Sequence, residues 1–89
     1  MVTVSFPAVL QRHVACPPLH VDGRTARAAV DAAFARRPDL RGYLLDDQGA
    51  LRTHVALFVD GQPVRDRVAL SDSIGASAEL AFFQALSGG

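Results

Sequence analysis

The 89-residue sequence has no lysine, one cysteine, no net charge and no apolar run near the length of a membrane span. All nine basic residues are arginine, so no side-chain amine is on hand for acylation, Schiff-base chemistry or isopeptide formation, and the amine of the N-terminus is the one primary amine expected. Cys16 alone supports neither an internal disulfide framework nor a cysteine-based metal cluster, and a reducing cytoplasm is the expected compartment. Nine acidic residues balance the nine arginines, and no basic run exceeds the pair Arg36-Arg37. That removes the electrostatic footprint of a nucleic-acid or anionic-membrane binder. The opening Met-Val-Thr-Val-Ser-Phe-Pro carries no basic region, so neither export nor membrane insertion is expected.

What is present describes one small soluble domain, 49% hydrophobic and 20% charged. At this length folding hides only about 60–65% of the unfolded chain's surface, which leaves a thin core and little room for an enclosed active site. The expectation is a protein that is not an enzyme and binds no cofactor of its own.

Val2 to Phe6 alternate apolar and polar residues, the mark of a strand with one buried face, with Val2, Val4 and Phe6 inward and Pro7 ending it. Residues 8 to 18 show no period and read as a connection. Leu19-His20-Val21 then forms a short antiparallel strand, with Asp22-Gly23 as turn chemistry and Thr25 as the N-cap of a helix. Ala26, Ala29, Val30, Ala33 and Phe34 fall at helical spacing, so one main helix is predicted over about residues 25–37, stopped by Pro38. Residues 39–50 read as a loop with at most one short turn around Leu40–Leu45. Val55 to Val59 is β-branched and aromatic enough for a central strand, Asp60-Gly61 signals a hairpin, and Pro63 confines the returning piece to an edge. Ala78 to Leu86 reads as the last strand and runs directly into Ser87-Gly88-Gly89.

The order β-β-α-β-β-β predicts an α+β fold of the ubiquitin-like β-grasp arrangement. A mixed sheet of four to five strands is crossed by one main helix, and the last strand lies between others. The domain spans 1–86 and the tail 87–89. Fold alone implies no function, and the information lies in the ending. Gly88 and Gly89 contribute nothing to packing but can be threaded into a narrow tunnel, and residues 87 to 89 reach roughly 10 Å beyond the body when extended. A partner could adenylate the Gly89 carboxylate with ATP-Mg, and a sulfur nucleophile could then displace AMP to leave a C-terminal thiocarboxylate. An ordinary frayed tail or linker ends in the same letters. The position of these glycines directly after the last strand of a β-grasp order favours the chemical reading.

On these residues the sequence resembles the ThiS/MoaD family of ubiquitin-like sulfur carriers. Residues 1–10, Met-Val-Thr-Val-Ser-Phe-Pro-Ala-Val-Leu, and 54–65, His-Val-Ala-Leu-Phe-Val-Asp-Gly-Gln-Pro-Val-Arg, are similar to actinobacterial carriers that supply sulfide for cysteine or thio-natural-product synthesis. Residues 78–89 are similar to the family's closing segment. The resemblance implies Gly89 as the adenylated, sulfur-carrying residue and Gly88 and Ser87 as its tail. It implies two partners as well, an adenylyltransferase/sulfurtransferase of the ubiquitin-activating type and a sulfur-accepting biosynthetic enzyme. Ala76-Ser77-Ala78 replaces the family's acidic Asp-Gly-Asp turn and Gln84 stands where proline often begins the tail, departures that bear on the branch and leave the diglycine untouched. The small subunit of molybdopterin synthase and a β-grasp interaction module with idle glycines remain alternatives. Cysteine, thiamine, molybdopterin and thio-sugar pathways all stay open.

Consecutive aromatics in a strand point to opposite faces, so one of Phe82 and Phe83 must leave the core. With Val55, Leu57, Val59, Leu80 and Phe82 on the helix side, Phe58 and Phe83 would meet on the open face, either as an exposed docking patch with Leu86 or beneath covering loops. Arg65, with Arg52 and Arg67, would rim that patch, pair with acidic residues of a partner or remain solvated charge. His13, His20 and His54 lack metal-ligand spacing, no metal site is expected, and Cys16 has no neighbour that would activate it.

Overall fold

The structure is a computed structural model that describes residues 1–84; the expected tail residues Ser87, Gly88 and Gly89, and Leu86, lie outside the described residues. Strand β1 spans Val2–Ser5, a short helix α1 Ala8–Gln11, and strand β2 Leu19–Val21. Helices α2 (Ala26–Arg36) and α3 (Pro38–Leu44) come next, then β3 (Val55–Val59), β4 (Gln62–Pro63) and β5 (Glu79–Gln84). The sheet order is β2-β1-β5-β3-β4, mixed, with β5 central, parallel to β1 and antiparallel to β3. This is the α+β β-grasp arrangement that the sequence predicts.

Period-two alternation fixes which face each strand buries. Val2, Val4, Val55, Leu57, Leu80 and Phe82 are each no more than 1% exposed and face α2. On α2 the expected stripe of Ala26, Ala29, Val30, Ala33 and Phe34 is buried against them. Alanine at three of the five positions lets the helix axis approach the sheet closely. Phe34 fills one end, where its ring centroid lies 5.8 Å from that of Phe82 and 6.3 Å from that of Phe6. The Thr25 hydroxyl caps the helix by accepting the Ala28 amide at 3.1 Å. Asp60 and Gly61 take φ of 49° and 84°, the left-handed pair of a tight hairpin turn between β3 and the edge strand β4.

Two expectations are corrected. Pro38 ends α2 but also begins a helix, because a first-turn proline needs no amide partner; this helix, α3, buries Leu40 and Leu44 one turn apart. Residues 8–18 are not wholly irregular: α1 is a single turn too short to show a period, and Leu10 anchors it in the core. Gly23 also has a different reason from turn geometry. A Cβ there would stand 2.7 Å from the Ala29 amide nitrogen, so the glycine lets the chain after β2 pass against the first turn of α2.

Arginines fasten the loops to this frame. Arg27 donates to the carbonyls of Gly49 and Ala69, Arg67 to those of Arg52 and Val55, Arg36 to His20, Arg37 to Ala15 and Arg52 to Gly42. The expectation that Arg52 and Arg67 rim a docking patch is therefore corrected. Their guanidiniums are engaged with main-chain carbonyls around the 42–55 segment. No helix among the described residues is long and apolar enough to cross a membrane.

Candidate functional site

The C-terminal end of β5 organises the surface of interest. Residues Glu79, Ala81 and Phe83 alternate onto the face of the sheet that α2 leaves open, while Leu80 and Phe82 point the other way. Register pairs Ala81 with Phe58 and Phe83 with Ala56 across the β3–β5 ladder. Phe58 and Phe83 therefore meet diagonally, edge to face, with ring centroids 5.3 Å apart and planes at 84°. Phe83 is 54% exposed and Phe58 half-buried, so among the described residues no loop covers the Phe83 ring.

Two shallow concavities flank the Phe83 ring. One is lined by Phe58, Gly61, Glu79, Ala81 and Phe83, and the other, of about 280 Å³, by Pro7, Ala8, Val9, Arg12, Phe83 and Gln84. Parallel pairing explains the second: β1 and β5 run the same way, so the end of β1, and α1 after it, lands beside the end of β5. Arg12, which no sequence signal singled out, thus stands next to the residues that lead into the tail.

Arg65 is not brought to this patch. It lines a separate polar depression with Asp66, Ser71, Asp72 and Ser73, a cluster that stabilises the 64–73 loop. Asp72 accepts the amides of Arg65 and Asp66 at 2.8 and 3.0 Å. The Asp66 carboxylate accepts the Ser71 hydroxyl at 2.6 Å and the Ala69 amide at 2.9 Å. These bonds, first that from Ser71, hold the Asp66 pKa down to about 2.

The remaining sequence candidates stay apart. Among the described residues no group of three His, Cys, Asp or Glu could hold a metal ion. The His20 ring nitrogen lies 3.2 Å from the Thr3 hydroxyl, where the edge strand β2 pairs with β1. Cys16 is wholly buried, bracketed through its main chain by the Gln11 side-chain amide. Burial pushes its thiol pKa up, against the lowering influence of Arg37.

No protein-family model and no curated protein sequence matches the chain. Solved structures do. A chain of the Amycolatopsis orientalis BexX/CysO complex superposes with a TM-score of 0.82 at 23% identity, covering 100% of both chains. Mycobacterium tuberculosis CysO, described as an antigen, gives 0.79 at 25% identity over 97% of this chain and 100% of its own. Small archaeal modifier protein 1 (SAMP1) from Haloferax volcanii gives 0.76 at 28% identity over 99% and 98%. The chain is in structure a ubiquitin-like β-grasp protein, similar over essentially its whole length to CysO and SAMP1, as its resemblance to the ThiS/MoaD family implies.

Proposed function

We propose that the chain is a sulfur carrier, a co-substrate that works through its terminal carboxylate. The observation that carries this reading is the central strand. β5 is clamped by β1 on one side and β3 on the other, and in the sequence it is followed five residues later by Gly89, preceded by Gly88. The body supplies a rigid recognition surface, and the ending supplies a group slender enough for another protein's active site.

In this reading a Gly89 carboxylate oxygen attacks the α-phosphorus of ATP, releasing pyrophosphate and forming an acyl adenylate. A sulfide equivalent then adds to the acyl carbon, AMP leaves with the former carboxylate oxygen, and a thiocarboxylate remains. ATP-Mg belongs to an activating partner of the ubiquitin-activating type, and the sulfur passes on to an acceptor enzyme. CysO of Amycolatopsis orientalis is found in complex with BexX, which supports a second binding partner for a protein of this shape. Cysteine or thio-sugar type biosynthesis is the pathway class the sequence resemblance favours.

The similarity to small archaeal modifier proteins favours a second reading, in which the same activated glycine is transferred to an amine of another protein. Intact-mass analysis after incubation with ATP-Mg, sulfide and the adenylyltransferase of the same genome separates the two. Replacement of one carboxylate oxygen by sulfur is the expected result. A higher-mass amide conjugate without the thiocarboxylate establishes the second reading, and an unchanged mass with every cognate activating enzyme overturns both.

A further inference from the structure

We propose that the open face of the sheet is a self-association surface, on which a second copy of this chain docks about a twofold axis. Phe83 of each copy sits in the other's concavity, and Arg12 of each pairs with the other's Glu79. The proposal stands apart from the carrier reading, because it needs no reaction at the terminus.

The face carries a knob, a hole and one charge of each sign. The knob is the Phe83 ring, 54% exposed. The hole is the concavity beside it, walled by Phe58, Glu79 and Phe83 and floored by small residues. Ala81 lies opposite Phe58 in the β3–β5 register, and nothing stands within 4 Å of where a Cβ on Gly61 would be. The volume of about 530 Å³ exceeds the roughly 150 Å³ that encloses benzene, so a phenylalanine ring can enter.

Both charges are unspent. Arg27, Arg36, Arg37, Arg52 and Arg67 donate to main-chain carbonyls, whereas the Arg12 side chain is exposed and has no hydrogen bond or ion pair among the described residues. The Glu79 carboxylate is likewise exposed and unpaired there; it is the Glu79 amide that donates to Asp60. Glu79 and Phe83 share one face of β5 about 13 Å apart, with Ala81 midway, and Arg12 stands beside Phe83.

This spacing chooses the symmetry. A twofold axis parallel to the strands would lay Glu79 against Glu79 and Arg12 against Arg12, like charge on like. An axis running across the strands at the level of Ala81 reverses one copy. Residue 83 then comes over residue 79, so each Phe83 faces a hole, each Arg12 faces a carboxylate, and the two Phe58 rings meet near the axis. Every contact occurs twice, as an isologous interface requires. The chain itself presents the cation, the ring and the anion at the separation that its own reversed copy needs. The contact is confined to one shallow face, so the interface falls below about 1,200 Å² and the dissociation constant is of order 100 µM.

The test is sedimentation velocity from about 10 µM to about 1 mM chain, where wild type should pass from monomer to dimer. Arg12→Glu and Glu79→Arg should each weaken the dimer about tenfold, because each change appears twice in it, and the loss should shrink as salt screens the charges. An equimolar mixture of these two variants should dimerise like wild type, since every cation again meets an anion. Ala81→Arg, which fills the hole, should leave monomer throughout. Circular dichroism of the Arg12 and Glu79 variants should match wild type, because neither side chain reaches the core. Wild type that stays monomeric at about 1 mM overturns the proposal. A dimer that both charge reversals leave within twofold of wild type places the contact elsewhere and overturns it, as does a mixture that fails to restore what each reversal loses. Monomeric wild type whose Phe58 and Phe83 resonances shift only on adding the adenylyltransferase would give the face to that enzyme, and overturns it too.

Discussion

A side-chain carbon on Gly23 would stand 2.7 Å from the Ala29 amide nitrogen and 3.0 Å from the Ala29 Cα, closer than packed atoms tolerate. Both obstructing atoms are main chain in the first turn of α2, where Ala29 is buried against the sheet, so the helix itself would have to shift. Gly23→Ala should therefore cost about 2 kcal/mol and lower Tm by roughly 10 °C. Thermal denaturation of the variant checks this, and an unchanged Tm would show that α2 can give way.

Phe82 and Phe83 are adjacent in sequence yet 1% and 54% exposed. Phe82→Ala removes a ring packed between Phe6 and Phe34 and should cost about 3–5 kcal/mol, enough to threaten folding at this chain length. Phe83→Ala gives up an edge-to-face contact with Phe58 on the open face, and should cost no more than about 1 kcal/mol. Urea titration of the two variants checks the contrast; in the carrier reading Phe83→Ala also raises KM for the activating enzyme.

Asp66 is a carboxylate whose folded pKa, about 2, lies below its ordinary 3.8. Its contribution to stability is thus fully present above about pH 5, where both states are ionised. It is lost as pH falls toward 2, because the unfolded chain takes up the proton first. Asp66→Asn and Ser71→Ala should each flatten the acid limb of a stability-against-pH curve. Following the Asp66 side-chain carbon by nuclear magnetic resonance should place its titration below that of ordinary aspartates.

Cys16 should behave as a reporter of global unfolding. It is buried, its thiol pKa is raised by lost solvation, and its loop is tied down by Gln11 and by Arg37 through the Ala15 carbonyl. An aromatic disulfide reagent should label one thiol per chain at a rate that tracks urea unfolding. Rapid labelling of the folded protein would contradict this burial.

Much of the architecture is legible in the sequence because each buried element carries its own period. The α2 stripe, the inward face of β1 and the opposite facing of Phe82 and Phe83 all come from spacing alone. The Asp60-Gly61 turn is legible for a related reason, since few other pairs tolerate two consecutive positive φ angles. α3 escapes because Pro38 reads as a stop; Asp39 in the first turn and Leu40 with Leu44 at i, i+4 are the available signals. The neighbourhood of Arg12 is not legible from local pattern at all. Only the parallel pairing of β1 with β5, a contact across nearly the whole chain, carries α1 to the end of the last strand. Arg65 is misplaced for the same reason, its distance from Phe58 in sequence being short while the 64–73 loop takes it to a different depression.

The position of β5 has a mechanical consequence. A pull applied beyond Gln84 acts along the strand axis, against ladders formed on one side with Thr3 to Ser5 and on the other with Val55 to Val59. Because strand hydrogen bonds lie across that axis, both ladders are loaded in shear and must give together, not peel one bond at a time. A partner that drags the end of the chain inward is then hauling on a rope spliced into the middle of the hull.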